Sequence, residues 1–592
     1  MAPATSGRLR VVAFTGGAPS AIDGVFLARL ARDPLLELTA LIVDEFRTSR
    51  KRAPLRILHG MRREGWPWLS FRLASALAAL VRKAALWLFE LAHEPREGAD
   101  PYEALEREAG VPVHRVADIH GEQSLRLIRS LRPQLGLIVG TRILRHCVID
   151  IPEFGTLNIH KRKVPDYRGG GPVGYWEVLA GEASIGVTIH YATAQVDAGD
   201  VLAEATIPVE ECDTLESLRI KADLRGAQLY HEAIRAIALG RREGTAQDPC
   251  QGTTYRAPSA LRVWQLERRL RRRAARRISL LRARPPGLTR MRVLLQYALV
   301  SPLLHRLRRR LQRQQRAPVC ILFYHLVANR PLNHMCLPLE EFVRQMELLR
   351  RYYPLITVEE AAARLHHGND EVAVAVTFDD GYRDNAWAIE YLRYFGIPAC
   401  FFVCVGHVLD GTPFAHDRRR GFEGALPMRE ADLRRLAADG FKVGSHGIHH
   451  EDFGGLESEA AERVLGESRR LIGELTGSPP DDFSFPRGQA GTNITAPSFA
   501  AASRHYRRIY SAYGGYNIPG RQSGSHLLRI GNPTDVEDLA TVLDGYTGLR
   551  RCLAGDAWGL HTADLAPYQA RTGTRKTTAA RLQRLFPRRA GR

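Results

Sequence analysis

The chain has 592 residues and a formal net charge of +20, with 45% hydrophobic and 25% charged residues. This length is well above the roughly 100 to 200 residues of a single domain, so we expect at least two domains, and the composition excludes a chain that is disordered throughout. The eight cysteines show no repeated spacing, which argues against a disulfide framework or a zinc ribbon and favours a reducing compartment.

The N-terminal segment has the pattern of an α/β sheet. An apolar run at 9–14 leads into the glycine turn at 15–17, a helix is predicted at 21–35, and a second strand at 38–43. This alternation is typical of a doubly wound parallel sheet. No basic region followed by an apolar core precedes the first strand, so we expect no export signal and a cytoplasmic protein.

Residues 47–97 form a basic and then strongly apolar segment that interrupts this pattern. The segment contains Trp66, Trp68 and Trp87, and a helical projection leaves a polar arc of only about 100°. Such a wide apolar face with basic residues suits a helix at a membrane interface. A helix packed into the domain core or a dimer contact fits the pattern equally well.

The densest group of polar motifs lies between residues 155 and 202. Asn158 and His160 share one face of the strand predicted at 156–160, because side chains alternate along a strand. An amide that can stabilise an oxyanion therefore stands beside an imidazole that can accept a proton. Three further motifs follow in order, namely Pro165-Asp166-Tyr167-Arg168-Gly169, Gly186-Val187-Thr188-Ile189-His190 and Val196-Asp197-Ala198-Gly199-Asp200.

In this order the motifs resemble those of the formyltransferases that use 10-formyltetrahydrofolate. The resemblance covers about residues 9–256, except for the 47–97 insertion. It implies that Asn158 stabilises the oxyanion on the formyl carbon and that His160 accepts the proton of the attacking amine. It further implies that Asp197 orients His160 and balances its charge.

The same resemblance implies a folate contact and indicates a class of acceptor. The folate contact would be made by Thr141, Arg142, Ile143 and Leu144, and Tyr167 would line the substrate groove. Methionyl-tRNA formyltransferases usually have Ser-Leu-Leu-Pro after the histidine, whereas this chain has Arg162-Lys163-Val164-Pro165. This departure favours the family members that formylate amino sugars.

The stretch 261–316 holds eighteen arginines and one acidic residue, Glu267, so it carries most of the net charge. Apolar residues are interleaved with the arginines, and Pro285 and Pro286 break the predicted helix. A helix lying on an anionic leaflet fits this composition best, with a solvated linker and a nucleic-acid contact as the alternatives. The apolar run 291–304 is shorter than the roughly 20 residues that span a bilayer.

Beyond the spacer, carboxylates and imidazoles have the spacing of a metal site. A strand predicted at 372–378 runs into Asp379 and Asp380, and adjacent carboxylates at a buried strand end are costly unless they are paired or bind a cation. His446 and His450 stand four apart and can share a face of a helical turn. Two imidazoles and one carboxylate make an open three-ligand site with room for a water molecule.

This half of the chain resembles the polysaccharide deacetylases of the NodB-homology family over about residues 318–548. The motifs Thr377-Phe378-Asp379-Asp380-Gly381, His446-x-x-x-His450 and Phe485-Pro486-Arg487-Gly488 occur in the family's order. The resemblance implies an incomplete (β/α) barrel with its site at the carboxyl ends of the strands. Asp380, His446 and His450 would hold a divalent metal, with zinc the expected ion, and Asp379 would be the general base for the metal-bound water.

Other positions of this family have weaker counterparts in the chain. The resemblance implies a substrate groove lined by Phe485, Pro486 and Arg487, with Arg529 beside the base. Gly447 replaces the usual Ser or Thr after the first histidine ligand, which would loosen that loop. The late histidine expected as general acid has only His561 as a candidate, and His325 is either structural or part of the site.

The sequence therefore predicts an α/β protein with four regions. These are a Rossmann-like formyltransferase domain at 1–258 with the insertion at 47–97, an arginine-rich helical spacer at 259–317, a distorted (β/α) barrel deacetylase domain at 318–570 and a basic tail at 571–592.

Together the two resemblances predict a bifunctional enzyme that N-deacetylates an acetamido sugar and then formylates the free amine from 10-formyltetrahydrofolate. Because this donor is cytosolic, we expect a nucleotide-linked or lipid-linked amino sugar and a cytoplasmic enzyme, with peripheral attachment to the inner face of an anionic membrane. Nucleic acid is not an expected partner. The alternatives are the same two families working in the opposite order, a tRNA-directed formyltransferase, and a scaffold with a decayed site.

Overall fold

The structure, a computed structural model, describes residues 7–17, 20–46, 93, 95–96, 101–248, 250–279, 287–489, 491–512, 514–521, 524–531 and 533–553. The chain divides into two compact units. Unit 1 lies within Met1–Ala84 and Arg96–Arg277, and unit 2 lies within Ala85–Pro95 and Ile278–Arg592.

Unit 1 is built on a seven-stranded sheet with the order β3-β2-β1-β4-β5-β7-β8. Neighbouring strands from β3 to β5 are parallel, and β7 and β8 each pair antiparallel with the preceding strand in that order. A separate two-stranded sheet joins β6 and β9. The strands are β1 (Leu9–Gly16), β2 (Leu36–Asp44), β3 (Val113–Val116), β4 (Leu135–Ile138), β5 (Thr156–His160), β6 (Tyr167–Gly169), β7 (Ser184–Tyr191), β8 (Val201–Pro208) and β9 (Thr253–Tyr255).

Helices α1 to α7 belong to unit 1. They are α1 (Ala21–Arg32), α2 (Pro101–Ala109), α3 (Glu122–Ser130), α4 (His146–Ile149), α5 (Tyr175–Ala180), α6 (Leu215–Ala238) and α7 (Ala260–Ser279). Helix α1 ends before the predicted position 35, because Asp33 precedes Pro34 and is extended, as the proline ring requires. Helix α7 packs Leu266 into a cluster with Tyr175 and Leu215. The apolar face of this basic helix is therefore used within the unit.

Unit 2 is a parallel eight-stranded barrel that is nearly closed, with the order β18-β17-β16-β15-β14-β13-β10-β19. A separate short pair is formed by β11 and β12. At the seam, the Asn517 amide donates to the carbonyls of Val319 (3.2 Å) and Leu528 (2.8 Å). The strands are β10 (Val319–Tyr324), β11 (Leu326–Val327), β12 (Cys336–Leu337), β13 (Ala373–Phe378), β14 (Ala399–Val403), β15 (Lys442–Ser445), β16 (Asp482–Ser484), β17 (Arg508–Ser511), β18 (His526–Leu528) and β19 (Ile530–Gly531).

Helices α8 to α18 and one 3₁₀ turn, Arg383–Asn385, surround this barrel or connect its strands. The helices are α8 (Gly287–Arg313), α9 (Leu339–Tyr352), α10 (Val358–His367), α11 (Ala386–Phe395), α12 (Val405–Asp410), α13 (Ala415–Arg418), α14 (Glu430–Ala438), α15 (Ser458–Thr476), α16 (Ala496–His505), α17 (Val536–Leu543) and α18 (Tyr546–Leu553). Strand β13 is buried at every position, as expected for a central strand of a barrel covered by helices.

The α/β fold class and both architectures are confirmed. The spacer forms two helices that fall in different units, α7 in unit 1 and α8 in unit 2. Most of the helix predicted at 47–97 lies outside the described residues, as do the prolines at 285–286 and the basic tail. Among the helices that the structure describes, none is long and apolar enough to cross a membrane.

Candidate active sites

The first site lies on β5 in unit 1, where Asn158 and His160 project to the same side. Register pairs Asn158 with His190 on β7. The Asn158 amide nitrogen lies 3.2 Å from His190 Nε2 and donates to Asp197 Oδ1 at 3.3 Å. His160 Nδ1 lies 3.3 Å from Asp197 Oδ2. The fold thus gathers the three residues that the sequence analysis singled out.

Asp197 is held in place by backbone as well as side-chain groups. It has a left-handed backbone with φ of 53°, a conformation that non-glycine residues seldom adopt outside constrained loops. Its Oδ2 accepts the Gly169 N–H at 2.9 Å, and its carbonyl accepts the Gln247 amide at 3.1 Å. These contacts fix the carboxylate between the imidazoles of His160 and His190.

Burial and neighbouring charges have opposing effects on the pKa values of His160 and Asp197. Burial lowers the pKa of His160 below its usual value, although the Asp197 charge partly opposes the shift. Burial would raise the pKa of Asp197, but the imidazoles of His190 and His160 outweigh it and lower that pKa. The favoured state near neutral pH is therefore a neutral imidazole beside a carboxylate, which suits a general base.

Both ring nitrogens of His160 already have neighbours, because His160 Nε2 lies 2.9 Å from the Tyr167 carbonyl. The Asn158 amide likewise faces two partners. A substrate therefore competes with internal hydrogen bonds for these groups. Catalytic hydrogen bonds often reach their working alignment only when substrate is bound.

The predicted folate loop follows β4. Arg142 is held by Asp44 and Asp118, Ile143 is exposed, and Leu144 packs into the core. The Thr141 hydroxyl is buried and none of the described residues hydrogen-bonds to it. The folate contact stays a prediction.

The second site lies at the carboxyl end of β13 in unit 2. His446 Nε2 is 3.5 Å and His450 Nε2 is 3.6 Å from Asp380 Oδ1, and the three ligand atoms lie within 4.8 Å of one another. The two histidines converge from an irregular loop after β15, so the predicted helical turn is wrong. His450 has a φ of 62° and Gly447 a φ of 83°, and these left-handed residues bend the loop back.

Asp380 has the environment of a metal ligand. Both of its carboxylate oxygens are buried and have no hydrogen-bond partner among the residues that the structure describes. Burial, followed by the charges of Asp379 and Asp417, raises the pKa of Asp380 well above its usual value. A buried carboxylate in this state is stabilised by a proton or a cation. Carboxylate oxygen and imidazole nitrogen are both ligands of zinc, so the residues fit a divalent ion.

The two histidines beside Asp380 are kept neutral, as histidines that bind a metal must be. Burial lowers the pKa of His446 to about 4 and that of His450 well below its usual value. His446 Nδ1 donates to the Ser484 carbonyl at 2.7 Å, which leaves Nε2 free to face Asp380. The positive φ of Asp380 and His450 adds backbone strain of the kind that clusters at functional sites.

Asp379, the predicted base, forms a buried pair with Arg529. Two guanidinium nitrogens donate to its two oxygens, each at 2.7 Å, and Arg529 is fully buried. Burial would raise the pKa of Asp379, but the Arg529 charge outweighs it and lowers that pKa. Arg529 also donates to the Ser484 hydroxyl at 2.7 Å. Arg529 thus lies beside Asp379, and its part in a reaction stays a prediction.

The loop that carries Gly447 is held by a glutamate. The Glu451 carboxylate accepts the N–H groups of Ile448 (3.0 Å) and His449 (2.8 Å). A Cβ at position 447 would lie 2.3 Å from Glu451 Oε2. Glycine at this position therefore makes room for the carboxylate that fixes the loop, which is contrary to the expected loosening.

Two histidines near these sites were not predicted as site residues. His190 stood in a motif, and only the register with β5 reveals its contact with Asn158. His416 Nε2 lies 3.7 Å from Asp380 Oδ2 and 2.9 Å from the Tyr382 hydroxyl. Burial lowers the pKa of His416 to about 3. No sequence motif surrounds His416, so only the tertiary structure could have found it.

The predicted groove residues differ in their exposure, and their role in a groove stays a prediction. Phe485 is fully buried against Phe453 and Phe483. Pro486 is also buried, whereas Arg487 is exposed and pairs with Asp452 at 2.8 Å. Tyr167 is buried and donates to Glu182 at 3.0 Å. His561 lies outside the described residues.

His325 follows β10 and lies close enough to the second site for its charge to lower the pKa of Asp379 and of His446. Its ring also contacts Phe323. The structure thus places His325 at the edge of the site, and its role stays a prediction.

A second imidazole–carboxylate cluster in unit 2 comprises His93, His305 and Asp544. Asp544 lies 3.0 Å from His93 Nε2 and 3.1 Å from His305 Nε2. Arg308 also reaches Asp544 at 3.1 Å and contacts His93 Nε2. This guanidinium already neutralises the carboxylate, so the cluster anchors α8 and does not need a metal.

Two family models match separate parts of the chain. Residues 97–234 match the family model described as formyl transferase, and residues 366–504 match the model described as polysaccharide deacetylase. The chain carries a formyl transferase domain and a polysaccharide deacetylase domain. Each match covers less than half of the chain.

Among curated proteins, the methionyl-tRNA formyltransferase of Geobacillus sp. (strain WCH70) is 32% identical over 145 residues, which is 24% of this chain and 45% of that protein. The chain thus spans about half the length of the curated relatives it matches.

Two solved structures are each similar to part of the chain. A polysaccharide deacetylase from Bacillus cereus is 21% identical and covers 38% of this chain and 69% of its own, with a TM-score of 0.31. The glycinamide ribonucleotide transformylase 1 from Symbiobacterium toebii is 20% identical and covers 41% and 96%, with a TM-score of 0.28.

Proposed function

We propose that the protein exchanges one acyl group for another on an amino sugar: unit 2 hydrolyses an N-acetyl group and unit 1 formylates the freed amine from 10-formyltetrahydrofolate. The observation that carries the proposal is that one chain holds both sites. Amide hydrolysis releases a free amine, and formyl transfer consumes one. The product of one site therefore has the chemistry of the other site's substrate.

In unit 1, the neutral His160 accepts the proton of the attacking amine. Asn158 donates to the oxygen that becomes negative on the formyl carbon, and Asp197 stabilises the imidazolium that forms. The contacts that support these roles are the hydrogen bond from Asn158 to Asp197 and the His160–Asp197 pair. To act, His160 gives up the contact of Nε2 with the Tyr167 carbonyl and presents that nitrogen to the amine, while Nδ1 stays directed at Asp197.

In unit 2, Asp380, His446 and His450 would hold the divalent ion, which when bound supplies Lewis acidity to water and to an amide carbonyl. Asp379 stays ionised because Arg529 lowers its pKa, and it accepts the proton of the attacking water. Arg529 keeps both oxygens of Asp379 in a fixed plane through two hydrogen bonds. The burial of this pair keeps bulk water from weakening it.

The acceptor is proposed to be a sugar carried by a nucleotide or a lipid. The support is the segment after His160. Arg162 in this segment is buried and donates to the Pro172 carbonyl, and Lys163 pairs with Glu182 at 3.5 Å. These residues serve the local fold, so this segment offers no basic surface along which the extended phosphate backbone of a tRNA could lie.

A tRNA-directed formyltransferase is the second candidate, because the curated relatives are named methionyl-tRNA formyltransferases. The two candidates differ in their dependence on salt. Formylation of a tRNA should fall steeply with salt concentration, because phosphate contacts release counterions, and it should end after RNase treatment.

The test offers acetylated, free-amine and formylated forms of nucleotide-linked and lipid-linked amino sugars to the whole protein and follows product mass. We expect the acetylated sugar to become formylated only when folate donor and divalent metal are both supplied. Free amine should accumulate in the Asn158→Ala variant. If the hydrolase cleaves the formyl amide and ignores the acetyl amide, the exchange order is wrong and the two reactions run in the opposite direction.

A further inference from the structure

Helix α8 is fixed to unit 2 by one of its faces. Tyr297 and Leu304 are buried in a cluster with Tyr546. On the same face, His305 and Arg308 bind the buried carboxylate of Asp544 at 3.1 Å each. These contacts set the rotation of the helix about its axis, and so they determine which residues point outward.

The outward face of α8 carries leucines and then arginines. Leu299 is 85% exposed and Leu303 is 57% exposed. At about 100° per residue, the exposed residues of the helix from position 299 onward fall within an arc of about 120°. The members of this arc are Leu299, Pro302, Leu303, Arg306, Arg309, Arg310 and Arg313. We refer to this set as the outward face.

The charge of the outward face is uncompensated along the helix. Gly287–Arg313 contains no aspartate or glutamate. Leucine side chains are usually buried in soluble proteins. Here two exposed leucines lie one turn apart beside four arginines, and together they form a mixed apolar and basic surface. Arginine forms paired hydrogen bonds with phosphate groups, while leucine favours the acyl boundary below them.

We propose that the outward face of α8 docks unit 2 on an anionic phospholipid membrane. Leu299 and Leu303 enter the headgroup boundary, and the arginines bind lipid phosphates. A second copy of the chain is disfavoured, since two such faces would bring eight positive charges together. Nucleic acid would use the arginines but would leave both leucines in water. This inference goes beyond the acyl exchange and does not depend on it.

The test measures binding of the full-length protein to vesicles of equimolar phosphatidylcholine and phosphatidylglycerol. The first variant, Arg306→Gln/Arg309→Gln/Arg310→Gln, should bind about 100-fold more weakly, because each arginine near an anionic leaflet contributes about fivefold. The matched control, Arg434→Gln/Arg463→Gln/Arg470→Gln, removes the same charge from exposed arginines of unit 2 that pair with glutamates, and should bind nearly as the wild type does.

The second variant, Leu299→Ser/Leu303→Ser, keeps every charge and should weaken binding by about tenfold, since it removes apolar area that the membrane would cover. Equal losses in the arginine variant and its control would overturn the proposal, as would unchanged binding of the leucine variant. Preferential binding of the wild type to single-stranded RNA, with no binding to the vesicles, would assign the face to nucleic acid instead.

Discussion

The two sites differ in how their carboxylates are satisfied. In unit 1, Asp197 is surrounded by donors and imidazoles that belong to the chain itself. In unit 2, Asp380 has two buried oxygens that find no hydrogen-bond partner in the described part of the chain, although two imidazoles face it. The first site is complete as built, whereas the second has the electrostatics of a site that a cation completes. Metal should therefore separate the two activities.

Replacing Asp380 is the strongest test of this difference between the two sites. We expect Asp380→Ala to bring hydrolysis down to the background rate, because one of three metal ligands is lost. Formyl transfer should be unchanged, since it uses none of the unit 2 ligands. Both rates are measured on the same preparation by product mass, with and without a chelator. Loss of formyl transfer in this variant would mean that the sites are not independent.

The two units also differ in the groups that hold a carboxylate. Asp379 in unit 2 is held by the permanent charge of Arg529, whereas Asp197 in unit 1 is held by titratable imidazoles. Removing one partner of a buried pair costs about 3–5 kcal/mol. Arg529→Met should lower the free energy of unfolding of unit 2 by this amount. Denaturant titration measures this loss of free energy. The unfolding transition of unit 2 is the one that divalent metal shifts, because ligand binding stabilises only the unit that binds the ligand. The control Arg434→Gln breaks an exposed pair and should cost only about 0–1 kcal/mol.

The Asn158→Ala variant tests the same difference at the site in unit 1. The variant should lower kcat for formyl transfer by about 10²- to 10³-fold, the cost of losing one oxyanion donor. Hydrolysis and metal content should not change. Wild-type turnover in this variant, or in His160→Ala, would remove these residues from the reaction.

The smallest expected effect concerns pH. Burial lowers the pKa of His160, so its basic form persists below the usual value of 6.5, and formyl transfer should decline only as pH falls below that value. Asp197 raises the pKa of His160, so Asp197→Asn should move the acidic limb of the kcat/KM profile to lower pH. An upward shift would contradict the assignment of His160 as the base.

The sequence predicts this molecule best where function depends on regular strands. Side-chain alternation places Asn158 and His160 on one face of β5, and Asp379 and Asp380 directly follow β13, as predicted. Such positions follow from local periodicity. They required no knowledge of the rest of the fold.

Irregular segments were predicted less well, because long-range contacts decide their conformation. The turn between His446 and His450 is not helical, since Gly447 and His450 adopt positive φ and Glu451 caps the loop. His416 reaches Asp380 only through the tertiary fold. Phe485 lies in a motif, yet neighbouring aromatic side chains bury it.

The most direct test of the central claim is elemental analysis of the full-length protein and two variants. We predict one tightly held divalent ion per chain in the wild type and in Asn158→Ala, and none in Asp380→Ala. The cluster of His93, His305 and Asp544 should contribute no second ion, because Arg308 already balances Asp544. A wild type without a stoichiometric ion, or an Asp380→Ala variant that keeps it, would contradict the difference between the two sites.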